Sequence, residues 1–284
     1  MTPASPLSSA EWLAERLADV VILDVRWRLG GPPGRADYAA AHIPGAVFVD
    51  LDTELADPPG SGGRHPLPDP TRLQAVLRGA GVCADSSVVA YDDGNGAVAA
   101  RAWWLLRWAG MPADRVAVLD GGWAAWVADG RPTTAEPAQP APGDVVVRPG
   151  AMPVIDADAA AELARSGVLL DARAAPRYRG ETEPVDPKAG HIPGARNLPA
   201  TEIAGPDGRV RPPAELAELF AARGATGPTP VAAYCGSGVN AAALVLAAEH
   251  AGLRTADEPV ALFPGSWSQW SADPRRPVAT GVDP

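Results

Sequence analysis

The 284-residue chain is 46% hydrophobic and 20% charged, a globular balance that excludes disorder as its main state. Its formal net charge of -10 disfavours a phosphate backbone, so nucleic acid is not an expected partner, and two cysteines, Cys83 and Cys235, cannot build a disulfide framework. The chain opens without a basic start and apolar run, and no stretch approaches roughly 18 apolar residues. Neither a secretory signal nor a membrane span is therefore expected, and the reducing cytoplasm is the expected location.

In chain order, short apolar runs alternate with amphipathic stretches. Residues 19–25 read as a buried strand, 70–79 as a helix, 86–91 as a second strand, 97–109 as a helix ended by Gly110, and 115–119 as a third strand. Residues 131–143 are rich in Pro and small side chains and lack a hydrophobic period, so they read as a semi-extended linker. Beyond them, 168–171, 230–234 and 259–263 read as strands and 240–251 as a helix. This alternation predicts an α/β fold with mainly parallel sheets flanked by helices. Ligands of such sheets sit beyond the carboxyl ends of the strands, and Cys235 falls just past the 230–234 run.

The chain also repeats itself. His42-Ile43-Pro44-Gly45-Ala46 returns as His191-Ile192-Pro193-Gly194-Ala195, and Leu23-Asp24-Val25-Arg26 as Leu170-Asp171-Ala172-Arg173. Val89-Ala90-Tyr91-Asp92 returns as Ala232-Ala233-Tyr234-Cys235, and Gly121-Gly122-Trp123 as Gly265-Ser266-Trp267. Four landmarks in one order at nearly constant spacing predict two homologous domains, 1–144 and 145–284. Asp92 stands in the first where Cys235 stands in the second.

Cys235-Gly236-Ser237-Gly238-Val239-Asn240 joins a strand to a helix. Gly236 and Gly238 allow a tight loop whose successive N–H groups can face one centre, reinforced by the positive end of the following helix. A thiolate is the nucleophilic form of cysteine, and such a cradle suits an anionic sulfur. Cys235 is thus the candidate nucleophile, with Gly236, Ser237, Gly238, Val239 and Asn240 as its loop.

Taken together, Tyr234-Cys235-Gly236-Ser237-Gly238-Val239, the paired His-Ile-Pro-Gly-Ala segments, the Gly-Gly-Trp and Gly-Ser-Trp pair and Asp171-Ala-Arg-x3-Arg177-Tyr178-x-Gly180 resemble the tandem-domain rhodanese family over nearly the whole chain. The resemblance implies two rhodanese-like domains, the first non-catalytic and the second catalytic. It implies a sulfurtransferase that moves sulfane sulfur from thiosulfate or 3-mercaptopyruvate to cyanide or a thiol through a Cys235 persulfide; separately, four scattered histidines and two distant cysteines offer no metal-ligand spacing, and no nucleotide-binding glycine motif occurs, so neither metal nor cofactor is expected. Neutral Gly236-Ser237 resembles the mercaptopyruvate branch, although Asn240 stands where that branch has Thr. Arg177 matches an arginine that holds the substrate carboxylate there. A second anchoring arginine is expected in Glu-Pro-Arg, but this chain reads Glu183-Pro184-Val185. The branch's proposed relay maps onto Ser237, His65 and Asp52.

His42 and His191 recur in both halves, whereas the cysteine does not, which predicts a structural role for them. Arg26 and Arg173 likewise read as members of structural ion pairs. Two other functions fit a cysteine loop. A cysteine phosphatase needs an arginine six residues on, where this chain has Ala241. A non-catalytic sulfur-carrier or partner-binding module would match a degenerate first half, but the loop around Cys235 is intact.

Overall fold

A computed structural model describes residues 5–284. The described chain forms two compact units, one of residues 5–57, 67–152 and 205–210, the other of 58–66, 153–204 and 211–284. Segment 58–66 therefore belongs with the second unit although it lies in the first half of the sequence.

The first unit runs β1 (Leu7–Ser8), α1 (Ala10–Ala14), β2 (Val20–Asp24), α2 (Gly34–Ala40), β3 (Val47–Phe48), α3 (Pro70–Gly79), β4 (Ser87–Tyr91), α4 (Ala97–Trp108), β5 (Val116–Leu119) and α5 (Gly122–Ala128). Its five strands are parallel in the order β1-β5-β4-β2-β3. Local chemistry sets the helix starts: Ser9 accepts from Trp12 N, and Asp69, followed by Pro70, accepts from the N–H groups of Thr71 and Arg72. Gly110, at φ 94°, closes α4 as expected, its N–H donating to Arg107 O at 3.0 Å.

The second unit runs α6 (Ala157–Ser166), β6 (Val168–Asp171), α7 (Ala175–Tyr178), β7 (Arg196–Asn197), α8 (Pro213–Ala222), β8 (Val231–Tyr234), α9 (Asn240–His250), β9 (Ala261–Leu262) and α10 (Ser266–Ala272). Its sheet is parallel in the order β7-β6-β8-β9. Val154 bridges β9 at Leu262, in the place β1 takes beside β5 in the first unit, so the fifth strand is reduced to one bridge. In each unit the apolar sheet face is sealed by an Ile from the His-Ile-Pro-Gly-Ala turn and a fully buried Trp, Ile43 with Trp126 and Ile192 with Trp270.

The repeated landmarks are the members of one buried clamp. Arg26 holds Asp24 through Nε at 3.0 Å and Nη2 at 2.6 Å, and its Nη2 also donates to Ala41 O at 2.7 Å. Tyr91 Oη donates to Asp24 Oδ2 at 2.5 Å and accepts from Ile43 N at 3.3 Å. Arg173 holds Asp171 and Gly190 O in the same way, Ile192 N donates to Tyr234 Oη at 3.2 Å, and Arg173 lies 4.5 Å over the Trp267 ring. The repeated histidines complete the turn. His42 stacks on Tyr38 at 3.8 Å and meets Tyr38 O through Nδ1 at 2.7 Å; His191 stacks on Tyr178 at 3.7 Å with Nδ1 2.8 Å from Tyr178 O. Burial holds the His191 ring below the usual imidazole range.

The stretch read as a linker is extended but not a free tether. His42 and Thr134 exchange both backbone hydrogen bonds, at 2.8 and 2.9 Å, and Gly143 N donates to Arg78 O at 2.8 Å. His191 and Ala279 make the same exchange near the carboxyl end, at 2.8 and 3.0 Å. The Pro-rich stretch is thus the first unit's version of the tail that straps the second, and its prolines suit a strand that pairs at isolated points.

Removing one partner of a buried ion pair strands the other charge. Arg26→Met is expected to lower stability by about 3–5 kcal/mol, and the double variant Asp24→Leu/Arg26→Met by less than the single change. Denaturant midpoints check this; equal losses for single and double variants would contradict it.

Candidate active site

Cys235 follows β8 directly, and the start of α10 ties down the backbone around it. Trp267 N donates to Cys235 O at 2.9 Å and Ser268 N to Gly236 O at 2.9 Å, while Cys235 N donates to Ser266 Oγ at 3.1 Å. Ser266 Oγ in turn donates to Phe263 O at 2.8 Å. With both carbonyls committed, the loop turns its next N–H back on the sulfur: Gly238 N donates to Cys235 Sγ at 3.1 Å. Gly238 sits at φ 80°, and a Cβ there would stand 2.6 Å from Pro264 O, so this turn requires glycine. Gly236, Ser237 and Val239 are buried beside it, and Asn240, the first residue of α9, is exposed. The first turn of α9 leaves N–H groups without intrahelical acceptors.

Ser266 is the one described non-glycine residue with positive φ, at 53°. Gly122, its partner in the repeat, adopts the same 53°, where a Cβ would collide with Asp92 O. The second unit accepts a strained serine at this point, and the serine's hydroxyl is what holds the Cys235 amide. The Gly-to-Ser change in the repeat was the sequence signal for it.

The matching loop of the first unit shows what this geometry does to an anion. Asp92 Oδ1 accepts from the N–H groups of Gly94 and Gly96 at 2.9 and 3.1 Å, and Oδ2 from those of Val98 and Ala99 at 2.9 and 3.0 Å. Burial pushes this carboxyl up from the ordinary range, and the four amides pull against that rise. The cradle of the first unit is filled by its own side chain.

Segment 58–66 forms one wall of the Cys235 site. Gly60 and Gly63 exchange backbone bonds at 3.0 Å, Arg64 N donates to Ser268 Oγ at 3.0 Å, and Gln269 Nε2 donates to Ser61 O at 2.9 Å. His65 Nδ1 thereby lies 2.8 Å from Ser237 Oγ, with both residues buried. Asp52 belongs to the other unit, where its Oδ2 accepts the Trp27 indole N–H at 2.8 Å.

Arg177 reaches the loop, but with its guanidinium held. Nε and Nη2 bind Glu183 at 3.2 and 2.5 Å, and Nη2 also meets Asp186 Oδ2 at 3.2 Å. Burial opposes ionisation of Glu183, yet the Arg177 bond and the N–H groups of Asp186 and Val185 hold its carboxyl below the usual range. Arg64 was not foreseen from the sequence. Its Nη1 binds Asp186 Oδ1 at 2.7 Å, and its Nη2 is 3.1 Å from where a Cβ on Gly236 would stand, with the Arg177 nitrogens at 3.6 and 3.8 Å. Its place directly before His65 was the available clue. Cys235, Gly236–Val239, Ser237, His65 and Arg177 are therefore gathered in one site, together with Arg64, Glu183, Asp186 and Ser266.

The model of the Rhodanese-like domain matches residues 9–129 and 156–273. A Pseudomonas aeruginosa protein named as a probable 3-mercaptopyruvate sulfurtransferase is 48% identical over 286 residues, covering 98% of this chain and 99% of its own. A Mycobacterium tuberculosis protein, provisionally named thiosulfate sulfurtransferase SseB, is 45% identical and covers 93% of this chain and 92% of its own. The crystal structure of the 3-mercaptopyruvate sulfurtransferase SseA from Escherichia coli superposes with a TM-score of 0.81 at 32% identity, covering 93% of this chain and 100% of that one.

Replacing Ser266 separates strain from anchoring. Ser266→Ala keeps the left-handed backbone and loses the hydroxyl, which is expected to lower stability by about 1–3 kcal/mol. Ser266→Gly relieves the strain and is expected to cost less. Denaturant unfolding of the two variants checks the order, and an alanine variant as stable as the glycine variant would contradict it.

Proposed function

This chain belongs to the rhodanese family and is a sulfurtransferase, and from that premise we propose that its second half is the catalytic domain and that Cys235 is the atom-carrying nucleophile. The observation that carries the reading is the strand-end sulfur receiving the Gly238 N–H in a loop whose counterpart in the first half is closed by Asp92. A non-catalytic first domain and a catalytic second one follow from that contrast.

The donor is a small sulfur anion, thiosulfate or 3-mercaptopyruvate. With thiosulfate, the Cys235 thiolate attacks the outer sulfur, the S–S bond breaks, and its electron pair leaves on sulfite; a persulfide anion stays on the enzyme. With 3-mercaptopyruvate the C–S bond breaks, its electron pair forms the pyruvate enolate, and the thiol proton of the donor ends on that carbon. The buried Ser237–His65 pair, at 2.8 Å, is suited to move this proton. Cyanide or a thiolate then attacks the terminal sulfur and leaves as thiocyanate or a new persulfide, restoring the Cys235 thiolate. Both steps conserve charge and need no external oxidant. Amides and the helix start stabilise the persulfide charge without a proton.

Among the described residues no helix is long and apolar enough to cross a membrane. We place the enzyme in the cytoplasm, where Cys235 stays reduced between turnovers, and nucleic acid is not among its partners.

A covalent intermediate separates the two half-reactions, so ping-pong kinetics are expected. Double-reciprocal plots of donor at several fixed cyanide concentrations should be parallel, and Cys235→Ser should turn over at background. Intersecting lines, or retained turnover in Cys235→Ser, would overturn the reading.

A further inference from the structure

We propose that Arg64 is a second donor-binding guanidinium, working with Arg177 to hold the oxyanion or carboxylate end of the sulfur donor over Gly236; this rests on Cys235 being the sulfur-accepting residue. The sequence leaves one arginine at this place and an exposed Val185 where a second was expected. The structure brings the second cation from segment 58–66 instead.

The two arginines are arranged as a binding pair, not as structural ion pairs. Asp186 bridges them, Oδ1 to Arg64 Nη1 at 2.7 Å and Oδ2 to Arg177 Nη2 at 3.2 Å, and Glu183 backs Arg177. The carboxylate side chains are 4% exposed, whereas those of Arg64 and Arg177 are 21% and 16% exposed, so the anions lie behind and the cations face outward. Arg64 Nη2 and Arg177 Nη1 take no part in those pairs, and both approach the Gly236 position, one residue from the sulfur. Arg64 Nε is buried without an acceptor among the described residues. Arg173 shows the contrasting structural case, with Nε, Nη1 and Nη2 all bound to protein oxygens and the side chain 1% exposed.

Chemistry fits the arrangement. In a chain of net charge -10, an anionic donor needs local cations. Two guanidinium edges bind a carboxylate or a sulfonate-like oxyanion with directional N–H bonds. Gly236 puts no side chain against these groups: a Cβ there would already stand 3.1 Å from Arg64 Nη2. The backbone N–H of Arg64 is held by Ser268 Oγ at 3.0 Å, so the segment that carries the cation is anchored before a donor arrives.

The test is steady-state kinetics of the full-length enzyme and its Arg64→Ala and Arg64→Lys variants. Thiosulfate and 3-mercaptopyruvate serve as separate donors, cyanide as acceptor, and pyruvate and sulfite as product inhibitors. Arg64→Ala should raise donor KM roughly 10- to 100-fold, as expected for a lost hydrogen bond to a charged group. The inhibition constant of the matching product should rise in parallel, while cyanide KM and the melting temperature stay near wild type. Arg64→Lys should recover part of the loss. A rise confined to one donor identifies which anion the pair serves. Unchanged donor KM and product inhibition, or equal losses for donor and acceptor accompanied by a lowered melting temperature, would overturn the inference. Where donor KM and product inhibition stay unchanged, persulfide formation on Cys235 in those same variants shows that this inference alone has failed, and its absence in the wild-type enzyme that the Cys235 reading has failed with it.

Discussion

The N–H of Gly238, 3.1 Å from the sulfur of Cys235, is the contact on which the proposed site depends: a strand-end thiol that is to act as a nucleophile needs dipoles that leave its sulfur free to react. Backbone amides and a helix terminus stabilise a thiolate's charge with partial charges alone. In the first unit, amides of the matching loop and of the start of α4 hold both oxygens of the buried Asp92.

Positioning of that thiol depends on buried polar groups on both sides of the chain. Before it, Tyr234 is fixed by Ile192 N and the Asp171–Arg173 pair; after it, the first residues of α10 claim the carbonyls of Cys235 and Gly236. Ser266 links the two by holding the Cys235 amide from a backbone conformation that its counterpart leaves to glycine. The guanidinium groups of Arg64 and Arg177, held by Asp186 and Glu183, lie beside the Gly236 position.

Much of this was legible in the residues. The main strands and helices fall within a residue or two of their expected bounds because β-branched runs and caps are local signals: 168–171 is reproduced as β6, 70–79 as α3 and 230–234 as the four residues of β8. Three two-residue strands were not legible, since Leu7–Ser8, Val47–Phe48 and Arg196–Asn197 are set by pairing with distant strands and not by their own pattern. Among the site residues, Cys235, its loop and Arg177 announce themselves through contiguous motifs. Arg64 does not, because its partner Asp186 lies far along the chain and the two meet only when segment 58–66 packs on α10. The strapped course of 131–143 was hidden for the same reason: proline content predicts extension but not what the extended chain pairs with.

The most direct measurement is the intact mass of the reduced, purified protein after separate exposure to thiosulfate and to 3-mercaptopyruvate. Addition of a single sulfur atom, located by peptide mapping on Cys235 and removed by cyanide, is the expected result. A mass unchanged by both donors, or a sulfur found on Cys83 instead, would contradict the assignment of the strand-end thiol as the carrier.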